Sequence, residues 1–119
     1  MKQSKGERNI EQVLKKHHIR YQKEYTFKGL VSSKGAPLRY DFAILDENFK
    51  VTRLIEFDGT QHVAPTEYFG GYKAFQKTRE HDWLKNRYAK GHRIPLVRIP
   101  YSERDNITLE MLLGDKYLI

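Results

Sequence analysis

Behind Ser4, apolar residues recur at Ile10, Val13 and Leu14, and His17 continues the row, which is the spacing of one helix face ending near His18. Ser4 stands where a helix cap belongs. From residue 21 to 27 the pattern changes to the aromatic alternation of a strand, "YQKEYTF". "KGLVSSKGAP" has the glycine, serine and proline of a loop. "LRYDFAIL" and "VTRLIEFD" read as two strands joined by the turn "DENF", so a hairpin is expected. "TQHVAPTEYFGG" is too polar and too broken by Pro65, Gly70 and Gly71 for regular structure. A long helix is predicted over residues 72–90, stopped by Gly91. "IPLVRIPY" supplies a short strand and "NITLEMLL" a last short helix. The predicted order is αβββαβ with a C-terminal helix. That is an α/β (α+β) fold with a central mixed sheet of about four strands flanked by helices.

At 119 residues with no long polar linker, residues 1–119 are expected to form one domain. Apolar content of 39% supports a real core. Twenty-two Lys and Arg against fifteen Asp and Glu give a formal charge of +7. Such a surplus favours a polyanionic partner, nucleic acid before a membrane surface. With no cysteine, disulfides and thiolate zinc sites are excluded. No apolar run reaches the length of a membrane span, and "MKQSKGERNIEQ" lacks a signal peptide's apolar segment. A soluble, cytoplasmic protein is expected.

The chemistry concentrates in "RLIEFDGTQH", where a strand ends on two acids one residue apart. Alternation puts Glu56 and Asp58 on one strand face with Leu54. On the preceding strand, Asp41 shares a face with Arg39 and Ala43, with Tyr40, Phe42 and Ile44 opposite. An even hairpin loop would set Asp41 beside Glu56, within reach of one hard cation. The competing reading is surface ion pairing with Arg39 and Arg53, which is common and weak.

On the long helix, Phe75, Trp83 and Ala89 mark the inward side, and Arg79, Asp82 and Asn86 fall on that side with Lys85 at its edge. A polar stripe on a packed face needs partners and points to a wet cleft. An internal Arg79–Asp82 pair would explain it equally. Glu7 lies near the inward side of the first helix, whereas Glu11 points further out; Ser4-Lys5-Gly6-Glu7 also matches a capping box. His62, four residues past the strand end, can serve as a general base, donate to a phosphate or ligate a metal. His17, His18, His81 and His92 lack zinc-like spacing and read as surface or packing residues.

An acid near the start of a helix, then "YDFAIL", "IEFDGTQH", "REHDWLKN" and "PLVRIPY", resembles the PD-(D/E)XK nuclease superfamily. Within it the pattern is most similar to small phage-type and very-short-patch-repair-like endonucleases and related homing-endonuclease catalytic domains. The resemblance implies a restriction-endonuclease-like core and Mg²⁺- or Mn²⁺-dependent hydrolysis of DNA phosphodiesters. It implies Asp41 and Glu56 as metal-binding acids with Asp58 a third, Glu7 and Asp82 completing the constellation, and His62 as base or phosphate ligand. The family's lysine, two residues past the second acid, is Asp58 here. His62, Gln61 or Lys85 takes its place.

The first reading is therefore a DNA endonuclease nicking as a monomer; a homodimer or larger nucleoprotein assembly would be needed to cut both strands in one visit. The second is a non-catalytic nucleic-acid-binding module, an inactive relative. The third is a protein-interaction domain whose acids form structural ion pairs.

Overall fold

A computed structural model of the chain describes residues 3–59 and 70–119. Among the described residues the α-helices and β-strands follow the predicted order: α1 (Lys5–Lys16), β1 (Tyr21–Val31), β2 (Pro37–Leu45), β3 (Val51–Phe57), α2 (Gly71–Gly91), β4 (Leu96–Ile99) and α3 (Leu109–Leu113). The strands form one open mixed sheet in the order β1-β2-β3-β4, with β3 and β4 parallel and the other neighbours antiparallel. The parallel pair needs a crossover, and α2 supplies it.

Each sheet face buries its own core. On one side Ile10 and Leu14 of α1 and Leu112 of α3 pack on Phe42, Ile44, Ile55, Val97 and Ile99. On the other, Ala89, Leu84 and Tyr88 of α2 pack on Leu38, Tyr40, Ala43, Leu54 and Leu96. Full burial of an aliphatic or aromatic side chain contributes about 1.5–3 kcal/mol, so both layers hold the sheet.

Several local expectations are corrected. β1 runs through Val31, so Lys28, Gly29 and Leu30 are strand rather than loop. His17 is exposed and caps α1's end instead of extending its buried face. Trp83 is 56% exposed and Arg79 is also exposed; Leu84, Tyr88 and Ala89 turn inward instead. Gly91 still belongs to α2, and Arg93, at φ 57°, carries the left-handed turn beyond it.

Ser4 caps α1 as its sequence promised. Its Oγ accepts the Glu7 N–H at 3.2 Å and donates to Glu7 Oε1 at 2.8 Å. Two residues in, Gly6 is buried against the end of β3, and a Cβ there would fall inside the contact distance of the Phe57 ring. Only glycine lets α1 sit this close. Alanine normally stabilises a helix interior by up to about 1 kcal/mol over glycine. Here Gly6→Ala should instead destabilise by about 1–3 kcal/mol in denaturant unfolding, as overpacking does. A gain in stability would show that α1 can ride up off Phe57 at no cost.

Candidate functional site

The β2–β3 loop has five residues, not an even number, but the register slips by one between Ile44↔Arg53 and Leu45↔Val51. The slip restores even pairing, and the Phe42↔Ile55 pair puts Asp41 opposite Glu56 at the next step. There the strands part, and the carboxylates take over the ladder's work. Glu56 Oε2 accepts the Asp41 N–H at 2.9 Å, and Asp41 Oδ2 accepts the Phe57 N–H at 2.7 Å. The two acids converge by bonding each other's strand.

The same level of the sheet is charged on all four strands. In β1, the pairs Lys23↔Phe42 and Tyr25↔Tyr40 bracket Glu24 and Asp41. In β4, Arg98 pairs with Glu56. Simple alternation fails across this row. Tyr21 joins the core under α1, while Tyr25 and Phe27 join the one under α2; Phe42 and Ile44 likewise part company with Leu38 and Tyr40. The switch in β1 occurs at Glu24, whose φ of 54° is left-handed. Opposite it, β2 switches at Asp41. The sheet changes faces where it places its acids.

Two helices complete the row. From α1, Glu7 brings a carboxylate to Glu24 and Asp41, with oxygens of all three within 4.8 Å of one another. From α2, Lys85 Nζ meets Glu56 Oε1 at 2.5 Å, with side-chain exposures of 15% and 6%. Tyr40 fixes that turn of α2 by donating its hydroxyl to the Lys85 carbonyl at 2.7 Å. One turn earlier, Asp82 Oδ1 faces Arg98 Nη1 at 3.6 Å, and Arg98 Nε donates to Asn86 Oδ1 at 2.9 Å.

Electrostatics follow from this crowding. Burial first, and then the Glu56 carboxylate with a smaller push from Glu7, raises the Asp41 carboxyl to about 8 despite the Phe57 N–H. Burial also raises Asp82, opposed by Arg98 and Lys85 and assisted by Glu56 and Asp58. Among the described residues no buried side-chain nitrogen or oxygen lacks a partner.

Of the residues singled out in the sequence, Asp41, Glu56, Glu7, Asp82 and Lys85 all reach this row. Lys85, expected at the helix edge, is instead half-buried against Glu56. Asp58 is exposed at the end of β3, where its N–H donates to the Ile99 carbonyl at 2.8 Å. Gln61 and His62 lie outside the described residues. Arg39 pairs with Glu24 at 3.8 Å, and Arg53 reaches Asp115 at 4.0 Å and the Gly114 carbonyl at 2.8 Å, so among the described residues both arginines pair elsewhere than with Asp41 and Glu56. Glu24 and Arg98 were missed. Arg98 had a visible signal, as the one charge in the apolar run "PLVRI". Glu24 had none, because it looks like the solvent side of a regular strand.

No protein-family model, curated protein or solved structure matches the chain. Among the described residues, no helix is long and apolar enough to cross a membrane.

Proposed function

We propose that the protein is a metal-dependent endonuclease acting on DNA, of the PD-(D/E)XK type that its sequence resembles. One observation carries the reading: two carboxylates, Asp41 and Glu56, face each other where β2 and β3 part, with a lysine on the second acid. Among the described residues Lys85 pairs with Glu56 alone, and a divalent cation would relieve the crowding of Glu7, Glu24 and Asp41 beside it.

The residues fit a hard divalent cation. Carboxylate oxygens from Glu7, Glu24 and Asp41 lie close enough to share one ion, and Mg²⁺ or Mn²⁺ prefers such donors. The raised proton affinity of Asp41 reflects burial first and then the like-charge crowding of Glu56 and Glu7, which a cation relieves. Bound there, the ion would polarise a phosphodiester and ease the loss of a proton from water. Asp41 would hold it with Glu7 and Glu24, and Glu56 would join as a further acid. Lys85 would release Glu56 to it and offer its ammonium to a phosphate oxygen, the task of the family's missing lysine. Asp82 and Asn86 hold Arg98 beside Glu56 as a second cation for the backbone.

The test is nicking of supercoiled plasmid with Mg²⁺ or Mn²⁺ against chelator, with Asp41→Ala as control. Metal-dependent relaxation that Asp41→Ala abolishes supports the reading. Plasmid left intact by the wild type would favour the inactive nucleic-acid-binding relative, for which the Lys85–Glu56 ion pair is a ready structural use.

Either nucleic-acid reading predicts a steep salt dependence. Phosphate contacts release counterions, and the slope of log affinity against log salt is about −0.9 per contact on duplex DNA. With a charge of +7, affinity for an arbitrary duplex should fall at least tenfold between low and physiological salt in an electrophoretic shift titration. Affinity that stays flat would exclude phosphate contacts as its source.

A further inference from the structure

Trp83 is the only tryptophan in the chain and is 56% exposed, on the side of α2 away from the sheet core. It walls a groove of about 660 Å³ between α2 and the chain around β4. The floor is apolar, with Leu96 and Leu118 among its residues, and Leu118 is held there by its bridge to Val97. The rim is basic. Arg87 and Lys90 continue the Trp83 stripe at the i+4 and i+7 positions, and Arg93 follows past the helix end. The Arg87 guanidinium lies over the indole at 5.2 Å. No ion pair joins any of these three cations to an acid among the described residues.

We propose that this groove binds an unpaired stretch of nucleic-acid strand, its bases against Trp83 and the apolar floor and its phosphates on Arg87, Lys90 and Arg93. The ligand must be flat and apolar on one side and anionic on the other, and a single strand is both. A second copy is disfavoured, since a two-fold pairing of this face would bring the same three cations together. An acidic peptide matches the charge, but its Asp and Glu side chains bring no planar ring to the indole, whereas every nucleotide brings both a ring and a phosphate. The groove also adjoins the acid row: Asn86 lines it and accepts from Arg98, and Asp82 precedes Trp83 on α2. A strand engaged at Asp41 and Glu56 can continue over α2 into it. The proposal rests on the nucleic-acid part of the proposed function and not on cleavage.

The test uses the full chain in chelator at low salt: a dye-labelled oligothymidine reads affinity by anisotropy in every variant, and indole fluorescence, which Trp83 alone supplies, reads quenching in the wild type. The expected result is quenching on binding and an affinity loss of about 5- to 150-fold in Trp83→Ala, with Trp83→Phe retaining most of it. Trp83 is exposed, so its removal spares the core. Lys90→Ala and Arg93→Ala should each reduce the salt slope by about 0.7. An unquenched indole with unchanged affinity in Trp83→Ala overturns the proposal. So does equal quenching by polyglutamate, which would assign an acidic protein partner, or concentration-dependent dimerisation that quenches without DNA. Quenching by the oligonucleotide alongside uncut plasmid in Mg²⁺ would leave this groove standing and remove only the endonuclease.

Discussion

Lys85→Ala is expected to be among the most destabilising single changes in the chain, by about 3–5 kcal/mol in urea or guanidinium unfolding. The reason is not the ion pair's own net worth, which for buried pairs is often small. Glu56 is 5% exposed, and its carboxylate would be left in a dry site beside Asp41 with its strongest counter-charge removed. Helix propensity cannot explain such a loss, because alanine is the better helix former. A paired substitution separates the two effects. In Lys85→Met with Glu56→Gln the amide oxygen can still accept the Asp41 N–H, and no charge remains unpaired. That double variant should recover most of the lost stability while remaining unable to nick DNA. If Lys85→Ala unfolds at the wild-type denaturant concentration, Glu56 does not depend on Lys85, and the lysine is free for another task.

Much of the architecture was legible because each element carries its own period. α1 has an apolar face behind a serine cap, α2 is long and ends near glycine, and the hairpin strands are apolar runs around a turn. What sequence periodicity could not show was the crossing of β1 and β2 from one core to the other. Leu38, Tyr40, Phe42 and Ile44 form an unbroken apolar row whether a strand keeps its faces or exchanges them midway. The exchange depends on a left-handed backbone at Glu24 and on carboxylates replacing ladder bonds at Asp41. Both are tertiary facts. For the same reason Asp41 and Glu56 were correctly brought together on the hairpin, but by a register slip in a five-residue loop and not by an even one. On α2, large size misled. Trp83 looked like a core anchor and is exposed, while the inward strip of Leu84, Tyr88 and Ala89 left room for Lys85 to reach the sheet.

In chelator, the stability of the protein should fall as pH rises from about 4 to about 8, and Asp41→Asn should remove most of that fall. The sign follows from proton counting. An unfolded aspartate loses its proton near 3.9, whereas Asp41 keeps it in the fold until about 8. Between those values the native state binds more protons than the unfolded one, so each step up in pH favours unfolding, by at most about 1.4 kcal/mol per unit. Asparagine keeps an oxygen for the Phe57 N–H and carries no charge toward Glu56 or Glu7. It should therefore melt higher than wild type at pH 8 and close to it at pH 5. Millimolar Mg²⁺ or Mn²⁺ reverses the comparison. A cation needs the ionised carboxylate, so it should stabilise the wild type most near pH 8, by about 2.7 kcal/mol at a hundredfold excess over its dissociation constant, and leave Asp41→Asn unmoved. Thermal melts across pH with and without metal read both effects at once. A wild type that gains nothing from either ion at pH 8, while Asp41→Asn still melts higher, would mean that the acids are simply frustrated and that the junction of β2 and β3 holds no metal.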